Sequence, residues 1–488
     1  MNDQPNAAEI TLSRTLGLLD ITMIGVGAMI GAGIFVLIGI AAGHAGPVLA
    51  IAFLLNGIVT TFTALSYAEL GSCLPAAGAG YRWVKEGMGG TQGFLAGWMN
   101  WFAYIVACAL YALGFGRLAV ELWTLTGIPF PLSEHQLAIV FMVAIIAIFA
   151  YINSRGASEA GLVGNVVTTA KVIILLIFVG FGLYAIAGNP DWTDNFSEGL
   201  LPNGIGGIFV AMGMTFIAFE GYEIIAQSGE EVKNPTRNIP RAIFYSIIVV
   251  VIIYVLIGFV VIGAVVPPSG MAVWDYLAHA KEVAIVRAAE QFMPMGGVLI
   301  LISGLASTMS ALNATIYSSS RVSFAMGRDN NLPAVFGSIH PKLHTPYWAV
   351  FLSAVLVVVM GMTLPIEQVA AAANVMFLLL FAQVNIAVMT LRRRRPEIER
   401  GYKIPFFPWI PVIGIVINLG MAVFLASKMD QVGFVSVAWI AVGLMLYWGY
   451  FSKREEEERP KEVLHEEALI SVDYSVLLPV ADLEQAKR

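Results

Sequence analysis

Long apolar stretches separated by short polar segments run through most of this chain of 488 residues. A helix needs about 20 mainly apolar residues to cross the ~30 Å hydrocarbon core of a bilayer, and twelve stretches come close to or exceed that length. They predict twelve membrane-spanning helices, here called spans 1 to 12, over residues 18–42, 48–72, 94–116, 136–153, 162–187, 204–228, 242–266, 296–324, 347–364, 369–391, 407–427 and 432–452. The pattern predicts an all-α membrane protein.

Composition excludes other classes of protein. Hydrophobic residues make up 58% of the chain and charged residues 12%, so a soluble domain could not hide its apolar surface. The net charge of -6 gives no support for a nucleic-acid partner. The basic run Arg392 to Arg395 follows span 10, and we interpret it as a topology anchor that contacts anionic lipid.

The distribution of Lys and Arg predicts the orientation. Basic residues such as Arg237, Arg241 and Arg321 collect in the segments that follow even-numbered spans, and few lie in the opposite loops. By the positive-inside rule both termini face the cytoplasm, in a multi-pass protein of the plasma membrane. The predicted organisation is a cytoplasmic N-terminus (1–15), a ten-helix transport core (16–391), spans 11 and 12 (392–452) and a charged cytoplasmic tail (453–488).

Two spans are interrupted near their midpoints. Span 1 carries Gly25, Gly27, Gly31 and Gly33, and span 6 carries the run Ala218–Tyr222, which contains an acid and a glycine. The two spans lie five apart and cross the membrane in opposite directions, and such paired interruptions indicate the substrate site of a transporter. For either span alone the glycines could instead serve close helix packing.

Three charged residues fall deep in the predicted spans. Lys171 lies in span 5, where a lysine costs about 3 kcal/mol, so we expect it to face the bundle interior. It could load and release a proton as a coupling device, or bridge helices as a fixed cation. Glu220 and Glu223 lie at the span 6 break and could select a cationic side chain, pair with Lys171 or carry a proton.

Other polar and aromatic residues receive more local interpretations. Phe219 and Tyr222 flank the span 6 break and Tyr104 is central in span 3, so each is a candidate substrate contact. Acids such as Glu69 and Asp329 are predicted at hydrated cytoplasmic helix ends, where they brace loops through ion pairs. Residues 271–293 are predicted to form one or two short amphipathic helices on the outer face.

Four motifs in order resemble the amino acid, polyamine and organocation (APC) superfamily of permeases from about residue 12 to 452. They are GVGAMIGAGIF in span 1, YAELGSCLPAAGAGYRWVKEGMG after span 2, SGEEVKNPTRNIPRAI after span 6 and SSSRVSFAMGRDNNLPAVFGSIHPKLHTP after span 8. The resemblance implies a LeuT-like fold, as in the bacterial leucine transporter: two inverted repeats of five helices (1–5 and 6–10) plus two additional helices.

The resemblance also implies how a substrate binds. The carboxylate of an amino acid would meet the amides of Ile30 to Ile34, and its amino group the carbonyls of both breaks. Phe219 would close over the substrate from outside, and Leu312 would line the side-chain pocket. With the residues named above, the predicted substrate site comprises Ile30, Gly31, Ala32, Gly33, Ile34, Tyr104, Ala218, Phe219, Glu220, Tyr222 and Leu312.

Lys171 matches a lysine that proton-coupled relatives place where sodium-coupled relatives hold a sodium ion. The match implies that it contacts the carbonyls of Gly27 and Ile30 and the hydroxyls of Ser307 and Thr308, and that its ammonium removes the need for sodium. Cationic amino acid permeases tend to carry a glutamate in span 3 where this chain has Ala103. Selectivity is therefore left open.

The sequence predicts a proton-coupled, sodium-independent amino acid transporter that works by alternating access. The alternatives are an exchanger, a cationic amino acid or polyamine carrier that uses Glu220 as counter-charge, and a membrane solute sensor without transport. Enzymatic activity, a cofactor and a metal site are not predicted, because the sequence carries no metal-ligand cluster, nucleophile and base pair, or phosphate-binding loop. The oligomeric state is left open.

The end of the tail has two interpretations. Its final run, ISVDYSVLLPVADLEQAKR, resembles the opening strand of a universal stress protein domain, of which only the start is present. The alternative is a flexible charged tail.

Overall fold

The computed structural model describes residues 14–75, 78–155, 160–197, 199–343 and 345–451. The predictions for residues 1–13 and for the tail from 453 to 488 lie outside the described residues. Within the described ranges the α-helices are α1 Leu18–Met29, α2 Ala32–Val36, α3 Ile38–Ala45, α4 Leu49–Cys73, α5 Ala79–Met88, α6 Gly90–Thr124, α7 Glu134–Arg155, α8 Ala160–Gly188, α9 Asp194–Ser197, α10 Gly204–Thr215, α11 Tyr222–Gln227, α12 Pro235–Gly263, α13 Val273–Ala280, α14 Ala284–Phe292, α15 Gly296–Arg328, α16 Tyr347–Thr363, α17 Ile366–Arg394, α18 Trp409–Lys428 and α19 Asp430–Leu446.

These helices confirm the twelve predicted spans. Eleven helical stretches in the described part of the chain are long and apolar enough to cross a membrane, and α16, with 17 residues, is a shorter apolar helix that supplies span 9. Span 1 consists of α1 to α3, and span 6 of α10, a 3₁₀ turn and α11. Spans 2 to 5 are α4, α6, α7 and α8, spans 7 and 8 are α12 and α15, and spans 10 to 12 are α17 to α19.

The longest helix extends well beyond its predicted bounds. The prediction placed span 3 at residues 94–116, whereas α6 has 35 residues. At 1.5 Å per residue it is about 52 Å long, which exceeds the bilayer core by about 20 Å. The hydropathy pattern locates only the part of a helix that lies in hydrocarbon, so the polar ends were missed.

The helices are arranged as an inner and an outer set. Spans 1, 3, 6 and 10 are mostly buried by other helices. Spans 4, 5, 11 and 12 instead leave large apolar side chains exposed, including Ile173, Val416 and Val437. Contiguous exposed apolar surface of this kind suits contact with lipid. The inner set therefore contains both interrupted spans, together with spans 3 and 10.

The predicted amphipathic segment between spans 7 and 8 forms two helices, α13 and α14. They pack against α3 at two glycines where no side chain would fit. A Cβ on Gly39 would lie 2.5 Å from the Cβ of Ala284, and one on Gly43 would lie 2.7 Å from the Cβ of Ala278. These short helices therefore cover the end of span 1 that is distant from α1.

Glu69 differs from its predicted environment. The sequence placed it at a hydrated helix end, but its side chain is fully buried. Its carboxylate accepts hydrogen bonds from Arg392 and from the Ile404 amide at 2.8 Å, and Arg400 lies 3.3 Å away. The predicted ion pairing is correct and the predicted hydration is wrong, because the segment after α17 folds over the end of α4. Lys85 and Asp329 form a second ion pair, at 2.8 Å.

Candidate functional site

The break in span 1 occupies only two residues. α1 ends at Met29, Ile30 and Gly31 have non-helical backbone angles, and α2 begins at Ala32. The Ile30 and Gly31 amides donate to carbonyls of Val26 and Met29, at 2.9 and 2.7 Å. The first-turn amides of a helix have no intrahelical acceptor. The backbone donors at this break are therefore those of Ala32 to Ile34, a narrower set than the prediction of Ile30 to Ile34.

Gly25 and Gly27 do not interrupt the helix. Both lie inside α1, where a Cβ on Gly25 would be 2.4 Å from Ile225 and one on Gly27 would be 2.5 Å from the Thr168 hydroxyl. At these two positions glycine allows close packing of α1 on its neighbours. The sequence left open whether the glycines serve close helix packing, and at Gly25 and Gly27 they do.

Span 6 is interrupted at the predicted run. A 3₁₀ turn, Phe216–Phe219, follows α10, Glu220 is extended, and Gly221 has a φ of +134° before α11 begins. A Cβ on Gly221 would lie 2.7 Å from the amide nitrogen of Met29. The break in span 6 therefore packs directly on the break in span 1.

The two breaks meet at a second point. A Cβ on Gly33 would lie 2.4 Å from the Cβ of Ala218. The Tyr254 hydroxyl of α12 lies 2.7 Å from the Met29 carbonyl and 3.1 Å from the Ala218 carbonyl, so it bridges both breaks. Sequence analysis missed Tyr254, since a single tyrosine in an apolar span gives no signal that it contacts a break.

Lys171 of α8 is held at the end of α1. Its side chain is only 1% exposed, and Nζ donates to the carbonyls of Gly27 at 2.6 Å and Ile30 at 2.7 Å. In a continuous helix these carbonyls would accept from the amides four residues later, those of Gly31 and Ile34. The break frees both acceptors, and the partial negative charge of a helix C-terminus favours a cation there.

The hydroxyls of Ser307 and Thr308, both predicted beside Lys171, donate to different acceptors. Ser307 donates to the Ile30 carbonyl, which Lys171 also contacts. Thr308 donates to the carbonyl of Leu305 in its own helix, at 2.9 Å. The structure therefore brings together Lys171, Gly27, Ile30 and Ser307, and it turns the Thr308 hydroxyl back onto α15.

A small cavity of about 10 Å³ adjoins the two breaks, and a space of this size holds about one water molecule. Its lining consists of Ala28, Tyr104, Ala107, Tyr111, Glu220, Gly221, Glu223, Ile224, Thr315 and Phe377. Glu223 accepts the Gly221 amide at 2.6 Å. Both carboxylate oxygens of Glu220 are buried without a hydrogen-bond partner among the described residues. In the same part of the chain no ion pair joins Lys171 to either glutamate.

The predicted side-chain contacts divide into two groups. Tyr104 and Glu220 line the cavity. Phe219, Tyr222 and Leu312 are fully buried but do not line it. Phe219 instead packs against the Tyr254 ring at 5.2 Å between centroids, and Tyr222 packs against Tyr67 at 5.4 Å.

Sequence analysis also missed several lining residues, and two of them, Tyr111 and Thr315, carry hydroxyl groups. Tyr111 follows Tyr104 by seven residues and Thr315 follows Leu312 by three, so each repeats along the face of its helix. Helical spacing from a residue already singled out would have found both. Within the described residues no cluster of three His, Cys, Asp or Glu side chains could hold a metal ion.

The interrupted, mutually packed spans define a multi-pass membrane transporter. The chain belongs to the amino acid permease family, whose model matches residues 16–453, and its fold is LeuT-like. It is 29% identical to the branched-chain amino acid permease BcaP of Bacillus subtilis, over 92% of this chain and 96% of that protein. It is 30% identical to the methylthioribose transporter of the same organism, over 91% and 94%.

A plant relative extends the range of similar proteins. The vacuolar cationic amino acid transporter 2 of Arabidopsis thaliana is 29% identical, over 79% of this chain and 61% of that protein. Family membership and these relatives support transport of amino acids rather than enzymatic catalysis.

Proposed function

We propose that the protein is a proton-coupled, sodium-independent amino acid symporter of the plasma membrane that works by alternating access. The observation that carries the proposal is the Lys171 ammonium, which donates to the freed carbonyls of Gly27 and Ile30. Carbonyl and hydroxyl oxygens at a broken helix are also the ligands that suit a sodium ion. The Lys171 ammonium, which lies among such oxygens, supplies the positive charge without a metal ion.

The amino acid binds where the two breaks meet. Its carboxylate accepts hydrogen bonds from the amides at the start of α2, since helix N-termini favour anions. Its ammonium group donates to carbonyls of both breaks, including that of Ala218. Phe219, already packed on Tyr254, closes the outer side. Of the remaining predicted contacts, Tyr104 and Glu220 line the side-chain pocket, whereas Tyr222 and Leu312 are buried outside the lining of the cavity.

The proton acts through Lys171. While the side chain is an ammonium, it ties the end of α1 to α8, and Ser307 ties the same carbonyl to α15. Loss of the proton removes charge-assisted hydrogen bonds, which are roughly twice as strong as neutral ones. α1 is then freer to move away from α8 and α15. Protonation of Lys171 is thereby coupled to the movement of α1, which acts as the gate of the site.

Orientation and domain boundaries complete the proposal. The ends of α7, α15 and α17 that carry Arg155, Arg328 and Arg392 face the cytoplasm, as the positive-inside rule indicates. Residues 16–391 form the transport core, and residues 392–452 with α18 and α19 form an accessory pair.

The experiment is uptake into proteoliposomes under imposed ion gradients. With an inward proton gradient and choline in place of sodium, we expect accumulation of a labelled amino acid above the external concentration. A protonophore should abolish the accumulation, and an inward sodium gradient alone should not support it. Accumulation that requires sodium, or that persists after the protonophore, would contradict proton coupling. Because the similar protein BcaP of Bacillus subtilis is a branched-chain amino acid permease, leucine, isoleucine and valine are the first substrates to try.

A second candidate function is transport of cationic amino acids or polyamines. The observation that favours it is the Glu220 carboxylate, which is 4% exposed, lines the cavity and lacks a partner among the described residues. An uncompensated buried charge costs several kcal/mol, so a positively charged substrate group would stabilise it. The similarity to a plant cationic amino acid transporter agrees with this candidate.

Replacing Glu220 by glutamine separates the two candidates. If Glu220 is the counter-charge, E220Q should weaken binding of arginine and putrescine by about tenfold or more, since a charge-assisted hydrogen bond contributes about 1.5–3 kcal/mol. Binding of leucine should change much less. The measurement is competition against a labelled substrate, with E134Q, at the start of the peripheral helix α7, as the control. Equal effects on neutral and cationic substrates would contradict the role in selectivity.

Two alternatives remain outside this proposal, and each has its own test. An exchanger would show counterflow but no net uptake under a proton gradient. A solute sensor would bind an amino acid, as a thermal-shift screen detects, and transport none.

A further inference from the structure

A large apolar groove lies between α16 and α7, which belongs to the outer set of helices, and none of its lining residues lies in the two breaks. Its volume is about 610 Å³, within the roughly 300–1,000 Å³ typical of ligand sites. Ile146, Val350 and Ala354 are almost fully buried along it. Tyr151 and Phe351 are 59% and 46% exposed beside them, so the groove opens sideways.

The two helices line the groove in the same way. On α7 the lining residues run from Val143 to Arg155, and on α16 they run from Tyr347 to Val358. Both sets follow the spacing of a single helix face, three and four residues apart. Ala147, Ala150 and Ala354 are small, which leaves the space between the helices open.

The length of the groove matches one leaflet of a bilayer. The α7 set extends over twelve residue steps and the α16 set over eleven, or about 17–18 Å at 1.5 Å per residue. Half of the ~30 Å hydrocarbon core is about 15 Å. An acyl chain that reaches from the membrane surface to the midplane has this length. The groove is therefore suited to one lipid from one leaflet.

One end of the groove is basic. Arg155, His340 and Lys342 line it there, and no described Asp or Glu does. His340 and Lys342 lie in the segment between α15 and α16. This segment is bonded to α7, because the Thr345 hydroxyl donates to the Ser154 carbonyl at 2.5 Å. The amides of Lys342 and Leu343 donate to Nδ1 of His340, each at 3.3 Å. This arrangement places positive charge at the end of the groove that lies at the membrane surface.

We propose that this groove binds one anionic phospholipid, with an acyl chain between α7 and α16 and the phosphate at Arg155, His340 and Lys342. Basic pockets between membrane helices at one surface are suited to anionic head groups. The basic end is also the end that the charge distribution assigns to the cytoplasm. The proposal depends on the membrane fold and not on the transported substrate.

Native mass spectrometry of the full, delipidated protein tests this site. We expect one tightly retained phosphatidylglycerol, weaker retention of phosphatidylcholine and no effect of inorganic phosphate. The double variant Arg155→Gln/Lys342→Gln should weaken phosphatidylglycerol binding about tenfold, because each basic side chain near an anionic surface contributes attraction. The matched control is Arg393→Gln/Lys403→Gln, which removes two exposed charges at the same membrane end outside the groove.

A second variant tests the apolar part. Ala150→Trp fills the groove and should reduce retention of phosphatidylglycerol while the melting temperature is kept. Equal retention of both lipids, or unchanged binding in both groove variants, would overturn the proposal. Loss of a dimer rather than of a lipid in the Ala150→Trp variant would also overturn it, since a second copy of the chain would then be the occupant.

Discussion

Replacing Lys171 by glutamine is expected to abolish proton-driven accumulation of amino acid while exchange of substrate across the membrane continues. Glutamine keeps amide donors that can reach toward the carbonyls of Gly27 and Ile30, but it has no charge to gain or lose. The hydrogen bonds between residue 171 of α8 and the end of α1 then no longer depend on protonation of that side chain. Under an inward proton gradient the internal concentration of amino acid should no longer rise above the external concentration.

Counterflow of labelled substrate distinguishes lost coupling from a misfolded protein. It requires binding and gate movement but no proton gradient, so it should persist in Lys171→Gln. Lys428→Gln, a substitution at the end of α18, is the matched control and should accumulate substrate like the parent. If Lys171→Gln accumulates amino acid as well as the parent does, the coupling role of Lys171 is wrong.

Lys171→Arg tests the proton more directly. Arginine stays charged at any accessible pH, so it keeps the cation and removes the possibility of release. We expect this variant also to lose accumulation. Recovery of full accumulation with arginine would indicate that Lys171 is a fixed helix-bridging cation, which was the alternative interpretation from the sequence.

The sequence was sufficient for the number and order of the spans. Hydropathy located all twelve, because each must provide an apolar length set by the bilayer. The paired interruptions in spans 1 and 6 were also predictable, since glycine destabilises a helix by its backbone freedom and an acid is costly inside the membrane. The contacts of Lys171 with Gly27 and Ile30 came from the family resemblance and agree with the observed geometry.

The sequence was insufficient wherever a contact between distant segments decides the outcome. Four glycines in span 1 gave no indication that, within the glycine motif, the chain leaves the helix at Ile30 and Gly31. The burial of Glu69 depends on Arg392 and on the segment near Ile404, more than 320 residues away. No local sequence pattern predicts a contact between segments so far apart in the chain. The direction of the Thr308 hydroxyl is a similar case, because a threonine in a helix can always bond its own backbone instead.

Gly221→Ala is the second substitution expected to have a large effect, because Gly221 fails to accept a side chain for two independent reasons. Its φ of +134° is a conformation that L-residues with a side chain rarely adopt. A Cβ there would also lie 2.7 Å from the Met29 amide nitrogen and 2.8 Å from the Cβ of Ala28. Both obstacles lie in the end of α1, so the substitution must push the two breaks apart.

The expected result is loss of substrate binding rather than loss of the fold. Overpacking costs about 1–3 kcal/mol, and if that strain falls on the closed arrangement of the breaks, affinity should drop about 5- to 150-fold. Binding measured by thermal shift and uptake into proteoliposomes should both report the loss. Gly206→Ala is the matched control, since Gly206 lies in α10 of the same span with nothing within 4 Å of its added Cβ. Alanine there should leave binding unchanged. An unimpaired Gly221→Ala variant would mean that the closely packed breaks are not where the substrate is held.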